Sequence, residues 1–326
     1  MQIELEHLYR DIKQTYNNIH SHLQETPLLH SSKLDHELGV NVYLKAESMQ
    51  TTGSFKLRGA LSAMSRLSSE EIRSGVLAYS SGNHAQGVAH AANCFNAPAT
   101  IVMPKDAPGI KLEKTKALGA KIISYDRIKE DREAIGERIA KENNLTIIRP
   151  YDAIETILGQ ATAALEIVRN SQSKFDAAII CAGGGGLTAG CSIVLKHHYP
   201  DCRIFTAEPE DWNDHELSFA NQEIIGVNTN RTGLCDGLLA PQPGNLTFAI
   251  NTKLGVKGLS CPDQDIYDAM LKAYQLFDVV LEPSGAVALA CLLKHQDRFQ
   301  DQKVMVMLSG GNVDAETFQR CIDLAN

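Results

Sequence analysis

The sequence predicts an α/β fold in which mainly parallel sheets are covered by helices on both faces. From residue 76 onward, short β-rich runs alternate with helix-like stretches. The runs are VLAYS, ATIVMP, KIISYD and LTIIRP, and a second series adds DAAIICA and CRIFTAE. Because strands that alternate with helices form βαβ units, this order predicts a three-layer α/β/α arrangement.

The remaining segments agree with this class of fold. Ile12, Tyr16, Ile19 and Leu23 form an apolar stripe at helical spacing, and Pro27 is predicted to end that helix. The other predicted elements are the strand VNVYLKAE, the helices HAQGVAHAANCF, KLEKTKALG, REAIGERIAKEN, TILGQATAALEIVRN, QDIYDAMLKAYQLF and GAVALACLLKH, and the buried strand KVMVML.

Composition excludes several classes of function. The 326 residues, 44% of them hydrophobic, suffice for one large or two ordinary domains, and the net charge of −8 argues against nucleic acid as a partner. The sequence contains no apolar run of membrane-spanning length and no signal-peptide pattern at its start. Its eight cysteines are scattered without a C-x-x-C pair, which is typical of buried thiols in a reducing compartment. We therefore expect a cytoplasmic globular protein.

Four polar or glycine-rich segments follow predicted strands, where open α/β sheets bind ligands. Lys56, in QTTGSFKLRGA, comes just after one strand and near the start of a helix. A partly desolvated lysine near a phosphate site can form a Schiff base with an aldehyde cofactor. The alternative is an ordinary exposed lysine, which would be the more common case for this residue alone.

The second and fourth segments offer hydroxyl groups at strand ends. In YSSGNHAQG, residues 80–84 precede free helical N–H groups and could bind a carboxylate, although Ser81 or Asn83 could instead be a simple N-cap. In MLSGGNVD, Ser309 could present a neutral hydroxyl to a ligand or could simply cap a turn.

The third segment is the run of four glycines at residues 183–186. Consecutive glycines let backbone N–H groups converge on an anion, which favours phosphate binding over a plain turn. Gly184, Gly186 and Ala189 also meet the G-x-G-x-x-G/A spacing of a dinucleotide-binding turn, with Glu208 placed as the acid for a ribose. By spacing alone, a nicotinamide dehydrogenase is therefore an alternative.

Together, the strings TGSFKLRGA, SSGNHAQG, GGGGLTAG and LSGGN resemble the fold-type II pyridoxal-phosphate enzymes, which are similar in fold to the tryptophan synthase β subunit. The serine/threonine dehydratase and serine racemase branch is the nearest match, and the resemblance covers nearly the whole chain. It implies two three-layer α/β/α domains, a large one formed by residues 1–75 and 151–326 and a small one formed by residues 76–150. It also implies a homodimer.

The resemblance assigns cofactor-binding roles. Lys56 would carry pyridoxal 5′-phosphate and later take the Cα proton of the substrate, and Phe55 would pack near the cofactor ring. Asn83 would hydrogen-bond the ring hydroxyl, and Ser309 would face the pyridine nitrogen as a neutral partner, which suits β-elimination or racemisation. The phosphate would be held by the backbone of Gly183, Gly184, Gly185 and Gly186.

The same resemblance assigns the substrate site. The carboxylate of a small amino acid would be bound by Ser80, Ser81, Gly82, Asn83 and His84. Ser81 matches the residue that returns a proton on the opposite face in the racemases, so racemisation is chemically possible.

A metal site is implied by the segment EPEDWND. Glu208 and Asp214 match acidic ligands of the metal-dependent relatives, together with the main-chain oxygen of Trp212. Oxygen ligands of this kind suit Mg²⁺ or Ca²⁺, and Mn²⁺ less well. The alternative is a solvated acidic loop.

The leading hypothesis is a pyridoxal-phosphate-dependent ammonia-lyase that acts on L-threonine or L-serine. Its alternatives are a serine racemase with dehydratase side activity and a threo-3-hydroxyaspartate dehydratase. Thr51 departs from the lysine of nucleotide-activated racemases, and Tyr151 resembles the dehydratases more than the vertebrate racemases. A non-catalytic amino-acid-binding protein that keeps the fold is a third class.

Overall fold

The computed structural model describes residues 4–80, 82–107, 109–126, 129–171, 173–228 and 232–326. The strands are β1 (Leu28–His30), β2 (Asn41–Ala46), β3 (Val76–Tyr79), β4 (Ala99–Pro104), β5 (Lys121–Tyr125), β6 (Thr146–Ile147), β7 (Ala177–Cys181), β8 (Arg203–Pro209), β9 (Lys257–Cys261) and β10 (Lys303–Leu308). The helices are α1 (Leu5–Ile19), α2 (Ser32–Leu38), α3 (Lys56–Met64), α4 (Ser69–Ser74), α5 (Asn83–Cys94), α6 (Gly109–Ala117), α7 (Arg132–Asn143), α8 (Ile154–Asn170), α9 (Gly186–His198), α10 (Asp214–Asn221), α11 (Asn245–Lys253), α12 (Asp263–Phe277), α13 (Pro283–Lys294) and α14 (Ala315–Asp323).

The strands form two sheets. The larger has the order β1-β2-β10-β7-β8-β9, and the smaller has the order β5-β4-β3-β6. Every pairing is parallel except that of β1 with β2. The predicted α/β class with mainly parallel sheets is therefore confirmed, and the carboxyl ends of β2, β10 and β7 lie side by side at one edge of the larger sheet.

Helices cover both faces of the smaller sheet. Along β3, Val76 and Ala78 belong to the apolar cluster that includes α3 and α5, while Leu77 and Tyr79 belong to the cluster that includes α7. This alternation is the period of two that a strand requires. All four strands of this sheet lie between residues 76 and 147, yet α3 contributes to its core from before residue 76. The domain limits at 76 and 150 stay a prediction.

A buried ion network fixes α3 against α8 and β2. Arg58 bonds Glu47 through Nε at 2.7 Å and Glu166 through Nη1 at 2.7 Å, and Lys45 Nζ lies 2.6 Å from Glu166. None of the four side chains is more than 2% exposed. The charges of the two cations and the two carboxylates cancel. Because Arg58 is bonded to residues outside its own helix, the network anchors α3, the helix that begins at Lys56.

Two predicted elements differ in extent from the structure. The first helix ends at Ile19 and tightens into a 3₁₀ turn at His20–His22, so Leu23 packs on the core with extended backbone and is not helical. The strand predicted in LTIIRP is reduced to Thr146–Ile147. Pro150 has no N–H to donate to a strand ladder, and its carbonyl oxygen is taken by Lys56.

The described part of the chain has no helix that combines the length and the apolar character needed to cross a bilayer.

Candidate active site

One cavity lies between the two sheets and brings together the segments predicted from the sequence. The predicted residues that line it are Phe55, Lys56, Ser80, Gly82, Asn83, His84, Gly183, Gly184, Gly185, Gly186 and Ser309. Ser81, predicted to face the substrate, lies outside the described residues. Segments separated by more than a hundred residues therefore meet at one site.

Lys56 lies at the start of α3 and is partly accessible from the cavity. Its Nζ donates a hydrogen bond to the carbonyl oxygen of Pro150 at 3.0 Å and lies 5.0 Å from the centre of the Phe55 ring. Desolvation of the amino group lowers the pKa of Lys56 to about 8. A substantial fraction of this amine is thus neutral near pH 8, as a nucleophile or base requires.

The start of α3 is tied to the end of β10. The N–H of Phe55 donates to the carbonyl oxygen of Ser309 at 3.2 Å, and Ser54 bridges to Gly310. Ser309 itself is buried, and its hydroxyl donates to the carbonyl oxygen of Ser284 at 3.5 Å. The neutral hydroxyl and the lysine are therefore held in a fixed relation.

Two carbonyl groups of the glycine loop, which lines the cavity, are occupied by hydrogen bonds from His215 and Thr247. Gly183 O accepts from His215 Nε2 at 2.9 Å, and Gly184 O accepts from Thr247 Oγ1 at 2.6 Å. The loop leads into α9, whose first N–H groups have no partners within the helix. Such a helix start favours an anion.

Glycine is required in this loop by conformation and by space. Gly185 has a φ of +86°, which favours glycine. A Cβ atom on Gly184 would lie 2.2 Å from Cδ2 of Tyr151. This is a cradle that side chains would fill, and with Lys56 and Ser309 in the same cavity it fits a phosphate-bearing aldehyde cofactor.

Asn83, the first residue of α5, is held by two partners. Its Nδ2 donates to Glu282 Oε1 at 2.5 Å, and its Oδ1 accepts from Asn312 Nδ2 at 2.8 Å. Burial, with a further contribution from Asp236, raises the pKa of Glu282 to about 7. His84, the next residue, bonds the carbonyl oxygen of Ile148 through Nε2 at 2.8 Å, and burial lowers the pKa of His84 to about 3. The imidazole of His84 is therefore neutral.

Two cationic side chains enter the same cavity from the helices of the smaller sheet. Lys111 on α6 is buried and forms an ion pair with Asp236. Arg132, the first residue of α7, also lines the cavity and lies 6.0 Å from the ring of Tyr79. Asp236 also lines the cavity and offsets the charge of Lys111, so Arg132 is the side chain that adds positive charge on this side.

The predicted metal ligands lie outside this cavity, behind the glycine loop. Glu208, at the end of β8, accepts hydrogen bonds at 2.9 Å from the backbone N–H groups of His215 and Glu216. Asp214 is fully buried, and neither of its carboxylate oxygens has a hydrogen-bond partner within the described residues. Burial and the nearby Asp214 raise the pKa of Glu208, and burial raises that of Asp214 to about 8. Trp212 is buried beside them.

Five residues at or beside the cavity were not predicted from the sequence: Glu282, Lys111, Arg132, Asp236 and His215. Glu282 stands in LEPSG, where an acid before a Pro at the first turn of a helix could have been noticed. Lys111 and Arg132 sit on ordinary charged helices and carry no local signal. Only the approach of the two sheets brings them to the cavity.

A lysine at the start of a helix, in one cavity with a glycine-rich loop and between two α/β sheets, is the arrangement of the fold-type II class of pyridoxal-phosphate enzymes. The model of the family described as pyridoxal-phosphate dependent enzyme matches residues 19–310. The chain therefore belongs to this family, and the dehydrogenase alternative is wrong. Glu208, the supposed ribose ligand, is buried behind the loop.

Its relatives are ammonia-lyases and racemases. The chain is 40% identical over 314 residues to an L-threo-3-hydroxyaspartate ammonia-lyase of Saccharomyces cerevisiae, which covers 96% of each chain. It is 36% identical to an L-threonine ammonia-lyase of Thermotoga maritima, over 96% of this chain and 77% of the relative. The solved structure of maize serine racemase superposes with a TM-score of 0.90 at 34% identity, over 96% of each chain.

Proposed function

We propose that this protein is a pyridoxal-phosphate-dependent ammonia-lyase that converts a small β-hydroxy amino acid, L-threonine or L-serine, into a 2-oxo acid and ammonia. The observation that carries the proposal is Lys56, which lines the same cavity as the glycine loop and has an amino group whose pKa is lowered to about 8. The named activities of the relatives agree with this class of reaction.

Different residues of the cavity would hold different parts of the cofactor. Gly183 to Gly186 would hold the phosphate through backbone N–H groups, and Phe55 would pack against the ring. Asn83 would bond the ring hydroxyl with its remaining amide hydrogen, and Ser309 would face the ring nitrogen. When bound, pyridoxal phosphate supplies the electron sink that acidifies the Cα–H bond. Because Ser309 is uncharged, it supports elimination or racemisation more than transamination.

The chain's own acid–base groups perform the proton transfers. The neutral amine of Lys56 accepts the Cα proton. The substrate carboxylate is bound by residues 80–84 at the start of α5, where free N–H groups favour an anion. Ser81 is proposed to hold a proton on the opposite face, which makes racemisation a second activity.

A second candidate substrate is threo-3-hydroxyaspartate, and a specific observation favours it. Lys111 and Arg132 line the cavity in addition to the segment proposed for the α-carboxylate. A second carboxylate on the substrate would find a charged partner in Arg132, which can bind it with two parallel hydrogen bonds. The yeast relative is named for this substrate.

We also propose that Glu208 and Asp214, with the main-chain oxygen of Trp212, hold Mg²⁺ or Ca²⁺. The support is the pair of buried carboxylates, of which Asp214 has both oxygens without partners in the described chain. A divalent cation would neutralise them. The cation would be structural or regulatory, because the site lies outside the cavity.

Three further features are proposed from the family resemblance: two domains divided at residues 76 and 150, a homodimer, and a cytoplasmic location. The confinement of the smaller sheet to residues 76–147 supports the first. Light scattering during size-exclusion chromatography tests the second.

The function is tested by borohydride reduction of the holoenzyme, followed by mass spectrometry of its peptides. We expect the cofactor to be fixed on Lys56, and Lys56→Ala to lose this label. A substrate panel then measures 2-oxo acid and enantiomer formation from L- and D-serine, L-threonine and threo-3-hydroxyaspartate. If enantiomer formation clearly outran 2-oxo acid release, the lyase proposal would fail. If Lys56→Ala kept every activity, the chain would not use this lysine in catalysis.

A further inference from the structure

His215 lies between the two buried carboxylates and the back of the glycine loop. A ring nitrogen of His215 and one oxygen each from Glu208 and Asp214 lie within 4.8 Å of one another. The Nε2 atom of His215 is 2.9 Å from the carbonyl oxygen of Gly183, and a carbonyl can only accept, so Nε2 carries the proton. Nδ1 is then a free lone pair, and it is buried without a partner within the described residues.

We infer that His215 is a ligand of the cation at Glu208 and Asp214 through Nδ1, and that its Nε2–H transmits cation binding to the phosphate cradle. A histidine ligand that donates its other N–H to a backbone carbonyl is a common arrangement in metal sites, because this bond fixes the ring and its tautomer. The inference rests on the proposed function in two respects, namely that Glu208 and Asp214 hold a cation and that the cofactor phosphate occupies the glycine loop.

The set of free atoms supports a site of mixed ligands. His215 Nδ1 and both carboxylate oxygens of Asp214 are fully buried, and none of these atoms has a hydrogen-bond partner within the described residues. Leaving such atoms unpaired is costly, and a cation among the three grouped side chains would give them a partner. An imidazole nitrogen suits Mn²⁺ better than Ca²⁺, which prefers oxygen alone. With His215 as a ligand, we expect the site to bind Mn²⁺ more tightly than Ca²⁺, the reverse of the order expected for oxygen ligands alone.

The path to the phosphate cradle is short and buried. The backbone N–H of His215 bonds Glu208, and its ring bonds Gly183. A Cβ atom on Gly185 would lie 2.5 Å from Cε1 of His215, so the ring also supports the loop directly below Gly185. A bond from the metal to this ring would hold the ring in place and, through it, the carbonyl group of Gly183. The backbone N–H groups of the glycine loop would then also be held more firmly.

The ligand is tested by electron spin echo spectroscopy of the holoenzyme with bound Mn²⁺. We expect nitrogen modulation from a coordinated imidazole in the wild type, and its loss in His215→Leu and His215→Gln. The Gln variant retains an N–H donor toward Gly183 but has no imidazole nitrogen. A wild-type spectrum without nitrogen modulation would overturn the ligand assignment, whatever the enzyme's substrate.

The link is tested by the rate at which diluted holoenzyme releases pyridoxal phosphate into a filtrate, with and without Mn²⁺. We expect Mn²⁺ to slow release about tenfold in the wild type and by less than about twofold in His215→Leu. Thr247→Val is the matched control, because Thr247 bonds the Gly184 carbonyl from behind and is not among the three grouped metal-binding side chains. It should release cofactor faster but keep the effect of Mn²⁺.

Two results would overturn the link: an undiminished effect of Mn²⁺ in His215→Leu, or an equal loss of the effect in Thr247→Val. Neither result depends on turnover. Failure of the lyase proposal would appear separately, as bound cofactor without release of 2-oxo acid.

Discussion

Asn83 donates a hydrogen bond from Nδ2 to Oε1 of Glu282 at 2.5 Å, which joins the first turn of α5 to the residue before α13. The bond crosses the cavity from the smaller sheet's side to the larger sheet's side. It also orients the amide proposed to meet the cofactor ring. The carboxyl group that accepts it is buried and has a pKa raised to about 7.

Glu282→Gln should remove a pH dependence of stability. A carboxyl whose folded pKa is raised stabilises the fold below its unfolded pKa of 4.5 and loses that contribution as pH rises through about 7. Relative to Glu282→Gln, the wild type should lose roughly 2–4 kcal/mol of unfolding free energy between about pH 5 and about pH 8. Urea denaturation at the two pH values measures this difference. The same difference in unfolding free energy between wild type and variant at both pH values would contradict this prediction.

Arg132→Met should change substrate preference and leave the elimination chemistry in place. Losing a charge-assisted contact to a second carboxylate should lower kcat/KM for threo-3-hydroxyaspartate by about 10- to 100-fold. The value for L-serine should fall less than about threefold. Arg138→Met, on the same helix and paired with exposed Glu142, is the control. Equal losses for both substrates would rule out a carboxylate-binding role.

Arg58→Met should destabilise the fold strongly. It would leave Glu47 and Glu166 buried with only Lys45 as a compensating charge, and breaking a buried pair costs about 3–5 kcal/mol. Removing the exposed pair of Arg138 should cost about 1 kcal/mol or less. Chemical denaturation of both variants gives the comparison, and similar costs would mean that the network does not anchor α3.

Removal of the cation should be visible in thermal unfolding. With Mg²⁺ well above its dissociation constant, the wild type should unfold roughly 5 °C higher than with chelator, because only the folded state binds the ion. Asp214→Asn should abolish most of this difference. A metal effect that persisted in Asp214→Asn would place the cation elsewhere. If the wild type unfolded at the same temperature with Mg²⁺ and with chelator, the proposed site would be wrong.

The parts of the site that local strings encode could be predicted from the sequence. Lys56, the four glycines and Ser309 each follow a strand, and their chemistry depends on backbone geometry that neighbouring residues determine. Glu282 and Arg132 depend instead on how two sheets approach each other. Neither periodicity nor spacing encodes that distance, so these residues emerged only with the fold.

The same limit applies to the end of the first helix. The apolar stripe through Leu23 correctly predicts burial against the core, but side-chain burial alone does not distinguish a helix from extended backbone. Likewise, the dinucleotide spacing marked a glycine loop that lines the cavity. It could not tell that Glu208 would be drawn behind that loop by the N–H groups of His215 and Glu216.

Lys56 and Arg58, two residues apart on α3, have opposite requirements: the first, in the role proposed for it, must be able to lose its proton, and the second stays charged in a network balanced by Lys45, Glu47 and Glu166. A single base change can convert a lysine codon into an arginine codon. At position 56 it would introduce a guanidinium that stays protonated and cannot hold the cofactor covalently. The buried network at Arg58 would not change, so such an allele should yield a protein that folds but lacks catalytic activity. A natural chain with arginine at this position should be tested for ligand binding and not dismissed as a damaged gene.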